Sequence, residues 1–421
     1  MSLKNTFCSS PWIHVKINNS GHYSYCRWSK STSDQHISQH SPTEFFQQTM
    51  TPVRQQFLQG QMPEACWDCE HMESHGKVSG RQKQLLKIGV QLENFEKTLA
   101  SSPWVQEFAK GPGTTQFPQD WQIDLGNYCN GACVFCSPAY SSKLATEQLK
   151  LGIISQLPPP NWTDDPELIQ RFIETLQQSP HIQYLHFIGG EPLVIPAFEH
   201  ILTELVRTGL NRTATIGFTT NLSVWKPKIA ELLSQFHSVN LGMSIESFGA
   251  VNSYVRWPVD QTTVTDNIAK WTELAQQHQW LLQFRTTPTC LTVDTLISVY
   301  NYAWNHNIAV ESCNFLNRPE FMRPAVLPWQ YRRPIIETMT QWIKQRKVSD
   351  ATVLNIRDPN QTQSQLVQDL ESYVEYFQNE QDQSWRLPDL VAYLRKIESV
   401  RGNSVLDYVP QYEDLFRSAG Y

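Results

Sequence analysis

From Trp121 to Leu316 short apolar runs alternate with longer stretches whose apolar residues recur at helical spacing, at the period of a strand-helix unit. The runs predict strands at Trp121 to Gly126, Gln183 to Ile188, Thr213 to Phe218, Ser238 to Ile245, Leu281 to Thr287 and Ile308 to Leu316. Helices are expected between them. The clearest starts at Asp165, an N-cap followed by proline at the first helical position, with Leu168, Phe172 and Leu176 on one face. Others are expected near Ala197 to Thr208, Lys226 to His237, Thr263 to His278 and Val293 to Asn305. Parallel strands joined by helical crossovers give an α/β fold, either an open doubly wound sheet or a partial barrel, and periodicity does not choose between them.

Residues 1–112 have a different texture. A hairpin is expected around Asn19-Ser20-Gly21, then a helix opened by a Ser41/Glu44 capping box with Phe46, Met50, Val53 and Phe57 on its apolar face, stopped by Gly60. The breaker-rich Gly111-Pro112-Gly113-Thr114-Thr115 reads as a linker. Residues 113–320 hold the alternating core. After it, 321–421 form a helical extension, with helices over Tyr331 to Val348, Gln361 to Glu380 and Leu387 to Val400.

Composition narrows the partners. The 421 residues carry a net charge of -6 with both signs interspersed, so no basic stripe suits a nucleic acid backbone. No run approaches the roughly 20 apolar residues that span a bilayer, and the segment from Met1 to Cys8 lacks a signal peptide's apolar core. A cytoplasmic protein is expected, with neither nucleic acid nor membrane as partner. In that compartment thiols stay reduced, so nine cysteines point to metal binding or catalysis rather than disulfides.

Seven of the nine fall into two groups. Cys129, Cys133 and Cys136 follow the first candidate strand at C-x3-C-x2-C spacing. Three thiolates leave one iron of a cubane cluster open to an exchangeable ligand, whereas zinc favours C-x2-C knuckles and a closed set of four. A zinc site or three unrelated buried thiols is the alternative. Cys8, Cys26, Cys66 and Cys69 supply four ligands, a closed site by count, and thiolate count does not separate zinc from iron-sulfur. His71 and His75, four apart on the following stretch, are expected outside the ligand set. Cys290 and Cys313 read as core thiols, with a hydrogen-donor role left open.

The run C-x-x-x-C-x-aromatic-C after an apolar strand resembles the signature of the radical S-adenosylmethionine superfamily. The resemblance implies a partial (βα)6 barrel and a 4Fe-4S cluster on Cys129, Cys133 and Cys136. It further implies that S-adenosylmethionine, bound at the open iron, is cleaved to a 5'-deoxyadenosyl radical. Phe135 is counted among the cofactor-binding residues. Gly189-Gly190-Glu191-Pro192, at the end of the second candidate strand, is similar to the family's GGEP motif for the methionine amino group. Ser244 and Arg256 match the spacing of a ribose and a carboxylate contact in relatives that act on peptides, with Glu246 where many relatives have aspartate. Asn221, after Thr219-Thr220, presents polar groups to cofactor or substrate.

Hairpin, helix and knuckle with Cys8, Cys26, Cys66 and Cys69 resemble the twitch or SPASM module, here N-terminal to the barrel. That likeness implies an auxiliary 4Fe-4S cluster with zinc as alternative, a peptide or protein side chain as substrate, and a reductase such as flavodoxin or ferredoxin as electron donor. The rival readings are a small-molecule dehydrogenase or epimerase, a methyl-transfer or sulfur-insertion enzyme, and an iron-sulfur or zinc binding protein with a degenerate barrel.

Overall fold

The computed structural model describes residues 3–29, 32–74, 78–102, 104–109, 111–112, 117–179, 181–311, 316–346 and 362–421. His75 and Cys313 lie outside the described residues. The chain forms two compact units, one of residues 1–127, 159–217 and 228–237, the other of 128–158, 218–227 and 238–421.

The first unit holds β1 (His14–Ile17), β2 (His22–Ser24), β3 (Thr32–His36), β4 (Asp120–Asp124) and β5 (Tyr184–Ile188), in the spatial order β3-β2-β1-β4-β5. The hairpin forms where expected. Asn18 Oδ1 accepts from the backbone N–H of Ser20 (3.1 Å) and His22 (2.9 Å), and Gly21 takes φ +86°, a left-handed turn position that favours glycine. The partner of β1 is the unexpected part. It runs parallel to β4 with His14 opposite Asp120 and Ile17 opposite Ile123, so the N-terminal hairpin extends the same sheet as β4 and β5.

Trp121 and Ile123 face the helix Pro166–Gln178, whose Phe172 meets the Trp121 and Trp162 rings edge-on at 6.2 and 5.4 Å. The Asp165 carboxylate caps that helix by accepting from the N–H groups of Glu167 and Leu168, and burial of Leu168, Phe172 and Leu176 contributes about 1.5–3 kcal/mol each. By alternation the other face of β1, β4 and β5 carries Lys16, Gln122, Asp124 and His186, all buried and all polar. A buried sheet face of this character suits a ligand-bearing interior better than a dry core.

At the rim of that face the Asp120 carboxylate is held by Arg27 (2.7 Å), Lys87 (3.0 Å) and His14 (3.4 Å). Burial alone would raise the Asp120 carboxyl, but Arg27, then His14 and Lys87, outweigh it and hold it well below the usual range. His14 moves the other way. Burial pushes its imidazole from 6.5 down to about 4, against the pull of Asp120. Its folded pKa is therefore depressed, so its contribution is complete above pH 6.5 and is lost as the pH falls from 6.5 through 4. Urea titrations across that window should show a loss of up to about 3 kcal/mol in the wild type that His14→Gln does not share. Parallel profiles for the two proteins would refute this origin.

The capping box at Ser41 forms as expected, and helical turns continue from Pro42 to Leu58. Residues Phe45–Thr49 widen into a π turn, which sequence periodicity does not reveal. Arg54, fully buried, donates to the carbonyls of Phe46 (2.6 Å) and Pro11 (2.7 Å), so it satisfies a carbonyl of the widened turn and ties it to the preceding segment.

β6 (Thr215–Thr220) crosses from the first set of residues into the second. The second unit contains β7 (Ser238–Ser244), β8 (Leu281–Arg285) and β9 (Ala309–Glu311), parallel neighbours with Ser244 opposite Arg285 and Arg285 opposite Glu311. Helices Pro196–Thr208, Pro227–Leu233, Gln261–His278 and Leu296–His306 fall between successive strands, and the α/β class with its mostly parallel strands is as expected. The three C-terminal helices are Trp329–Arg346, Thr362–Asn379 and Leu387–Arg401. No helix among the described residues is long and apolar enough to cross a membrane.

Candidate functional site

In the second unit the cysteine loop is an irregular segment, with a turn at Val134-Phe135, held from several sides. The N–H groups of Ala132 and Val134 donate to the carbonyls of Trp257 (2.6 Å) and Val255 (2.9 Å). Ser141 Oγ donates to the Gly131 carbonyl (2.6 Å), and the Cys129 N–H donates to Ser142 Oγ (3.3 Å). The helix Leu387–Arg401 supplies two further clamps: Arg401 donates to the Ala132 carbonyl (2.6 Å) while paired with Glu147, and the Tyr393 hydroxyl donates to the Val134 carbonyl (3.1 Å). Sequence reasoning missed Arg401 and Tyr393. No local signal marks them, because each acts some 260 residues from its partner.

Gly131 lies between two of the thiols. A Cβ placed there would touch Cys133 Sγ (3.7 Å), Cys129 Sγ (3.8 Å) and Asn221 Nδ2 (3.7 Å). Asn221 donates to Asn130 Oδ1 (3.0 Å) and reaches Cys129 Sγ at 3.9 Å, which places the residues after β6 against the loop. Burial, then the charges of Cys133 and Cys129, push the Cys136 thiol up to about 12. Burial also raises Cys133, opposed by Arg256. Thiols held protonated by burial in this way give up their protons only to a cationic centre that takes the sulfurs as ligands.

Arg256 is where the structure adds most. Its Nε and Nη2 both bond the Glu246 carboxylate, the latter at 2.9 Å, and both side chains are buried. The Thr287 N–H donates to the same carboxylate (3.2 Å), and Phe135 places its ring 5.5 Å from the guanidinium carbon. Burial would lower the Arg256 pKa, but Glu246, then Cys133, outweigh it and raise it. Two donors of the fork are thus committed to Glu246, and the cation stands beside the cysteine loop. Ser244, the last residue of β7, lies two positions before Glu246.

In the first unit Gly189 takes φ +136° and packs on the chain just after β4: an added Cβ would lie 2.5 Å from the Gly126 carbonyl oxygen. The Gly190 N–H donates to that same oxygen (2.7 Å). Only glycine permits this approach. The Glu191 carboxylate, buried, accepts from the Leu193 N–H (3.2 Å), and Pro192 opens the short 3-10 turn that follows.

The same unit gathers the other four cysteines. Cys8, Cys26, Cys66 and Cys69 line one hollow with about 350 Å³ of free space, counting its open mouth. Trp28, Phe57 and Met62 supply apolar walls, and Arg81 stands at its edge. Arg81 is itself anchored by Glu73 (2.5 Å) and the Phe7 carbonyl (2.9 Å), so it ties the segment carrying Cys8 to the one carrying Cys69. Burial, then the neighbouring Cys26, pushes the Cys8 thiol up to about 12, and burial likewise raises Cys26, Cys66 and Cys69. The Ser29 N–H points at Cys26 Sγ (3.3 Å), a donor of the kind that stabilises a metal-bound thiolate. The His71 ring stacks on Trp67 at 4.7 Å.

Among the described residues no three Cys, His, Asp or Glu side chains form a ready set of ligands for one metal ion. A cubane takes each cysteine on a different iron, so its ligands need not close on a single point. The donor chemistry of both sets, all thiol with backbone N–H groups nearby, fits an iron-sulfur cluster. Cys290, fully buried on a backbone bonded to Met322, is a core thiol.

Residues 123–282 match the Radical SAM superfamily. No curated protein matches it. Similar solved structures include Streptococcus suis SuiB bound to precursor peptide SuiA, at 15% identity over 67% of this chain and 60% of that one, with a TM-score of 0.37. SuiB bound to S-adenosylmethionine gives 15%, 69%, 63% and 0.35, and anSMEcpe with bound AdoMet gives 16%, 53%, 60% and 0.34. The chain spans about three fifths of the length of each of these proteins.

Proposed function

We propose that this radical SAM enzyme uses Cys129, Cys133 and Cys136 to hold a 4Fe-4S cluster, and that its target is a peptide or protein side chain, which it oxidises or crosslinks. The observation that carries the reading is the loop itself: sulfurs of Cys129 and Cys133 against Gly131 and Asn221, with Phe135 over the Glu246–Arg256 pair. What the cluster and S-adenosylmethionine supply when bound is reductive cleavage of a sulfonium bond, and from it a carbon radical able to take a hydrogen atom.

The chain's own residues hold and orient. Three thiolates leave one coordination position free for the cofactor. Ser244 offers a hydroxyl to its ribose, while Asn221 fixes the loop near Cys129. Arg256, with Glu246 already bonded to part of its fork, places a positive charge beside the thiolates and keeps remaining donors for a carboxylate. Burial of the Glu246–Arg256 pair excludes water from that side of the cluster loop.

The quartet Cys8, Cys26, Cys66 and Cys69 would hold a second 4Fe-4S cluster with no open iron, suited to accept or deliver an electron rather than to bind substrate. Support for a peptide target comes from the likeness of the hairpin, helix and knuckle to the module of peptide maturases. On this reading residues 1–112 serve as the auxiliary module, 113–320 as the catalytic barrel and 321–421 as a helical extension that clamps the cysteine loop, with a flavodoxin or ferredoxin as reductant.

Anaerobic reconstitution with iron and sulfide tests the two clusters separately. Wild type should bind about eight irons and form 5'-deoxyadenosine when reduced with S-adenosylmethionine. Cys66→Ser/Cys69→Ser should retain about four irons and still form 5'-deoxyadenosine. If the double variant loses zinc instead of iron, the quartet is a zinc site; if wild type makes no 5'-deoxyadenosine, the catalytic reading fails.

A further inference from the structure

In the second unit two buried polar atoms meet over a glycine with no hydrogen-bond partner. Arg285 Nε and Thr219 Oγ1 are both shielded from solvent, and neither makes a hydrogen bond among the described residues. Both converge on Gly242. A Cβ there would lie 2.6 Å from Arg285 Nε, 2.8 Å from Arg285 Cδ and 2.9 Å from Thr219 Oγ1. Glycine at 242 is thus what lets the Arg285 side chain lie across β7 and puts its Nε near the threonine hydroxyl.

The face is polar by register. Ser244 is opposite Arg285 and Gly242 opposite Gln283, while Met243 and Phe284 point to the apolar side with Leu241 and Leu282. Arg285 forms an ion pair with Glu311, whose Oε2 is 3.4 Å from Nε without a hydrogen bond forming between them. Glu311 is half exposed, 51%, and accepts from Gln283 at 3.3 Å. A cation whose buried donor is unbonded, beside a loosely held carboxylate, presents the fork and charge that an incoming carboxylate fits.

We propose that Arg285 and Thr219, lying together across Gly242, form a subsite for a carboxylate on the substrate, with Glu311 as the counter-ion it displaces. The substrate is then an acidic peptide segment, its carboxylate coming from an Asp or Glu side chain or from a free C-terminus. The proposal rests on the reading of this domain as one that holds substrate beside S-adenosylmethionine. Arg285 is a positioning residue: it fixes where the substrate sits and takes no part in bond cleavage.

Two matched pairs of blocked compounds test it on the anaerobically reconstituted full chain with S-adenosylmethionine present, by isothermal titration. N-acetylglutamate N-methylamide is set against its glutamine counterpart, and N-acetylalanine against N-acetylalaninamide. In at least one pair the acid should bind about tenfold more tightly than the amide, the order expected of a charge-assisted contact, and the pair that responds tells side chain from C-terminus. Arg285→Gln should abolish that preference and Gly242→Ala should weaken it, while Arg285→Lys, which keeps the charge, should retain part. Absence of any acid preference in wild type, or its survival in Arg285→Gln, overturns the proposal. Loss of S-adenosylmethionine binding in Arg285→Gln also overturns it, by assigning the guanidinium to the cofactor. Formation of 5'-deoxyadenosine by wild type is scored separately, so a failed subsite and a failed catalytic reading give different results.

Discussion

Cys133→Ala should eliminate 5'-deoxyadenosine formation, by at least about a thousandfold, and lower bound iron from about eight to about four per chain. The thiol is small and buried in a loop whose backbone is fixed by Trp257, Val255, Arg401 and Ser141, so removing one sulfur leaves the clamps intact. The metal-free variant should therefore melt within a few degrees of wild type, which separates lost chemistry from lost fold. Iron analysis, product chromatography and thermal denaturation on the same preparation make the test. Retained 5'-deoxyadenosine, or an unchanged iron count, would remove Cys133 from the cluster.

Arg256→Met should destabilise the metal-free protein by about 3–5 kcal/mol, because it leaves the Glu246 carboxylate buried with its charge unpaired. The Thr287 N–H, which also donates to that carboxylate, does not neutralise it. Arg256→Met/Glu246→Leu should recover most of the loss, since replacing both members of a buried pair by apolar groups is often close to neutral. Urea unfolding of the three proteins measures it. A single-variant effect below about 1 kcal/mol would mean that water reaches and screens the pair.

Much of the architecture is legible in the chain because its signals are local. Asp165-Pro166, the Ser41/Glu44 box and Asn18 to Gly21 each specify a cap or turn within a few residues, and all form where expected. Most strand ends shift by one or two residues: the run expected from Thr213 begins at Thr215 and ends at Thr220, where backbone pairing rather than apolar content decides, while the strand expected over Ile308 to Leu316 is described only as Ala309–Glu311, with 312–315 outside the described residues. What the sequence hides is non-local. Nothing near His14 announces that it will lie opposite Asp120, and nothing near Ala132 points to Arg401. Arg256 shows the limit within the site. The family resemblance implies a carboxylate partner for it, yet only the reversal of the chain after β7 reveals that Glu246 already takes two of its donors.

The parallel pairing of β1 with β4 also sets an order of events during synthesis. Val15 emerges from the ribosome about a hundred residues before Trp121, its neighbour in the sheet, so the hairpin waits with one edge unsatisfied while the segment between is made. Closing so long a loop is slow compared with forming a hairpin, and an open strand edge invites pairing with another nascent chain. Low-temperature or slowed expression should accordingly favour recovery of soluble chain more than extra iron supply does.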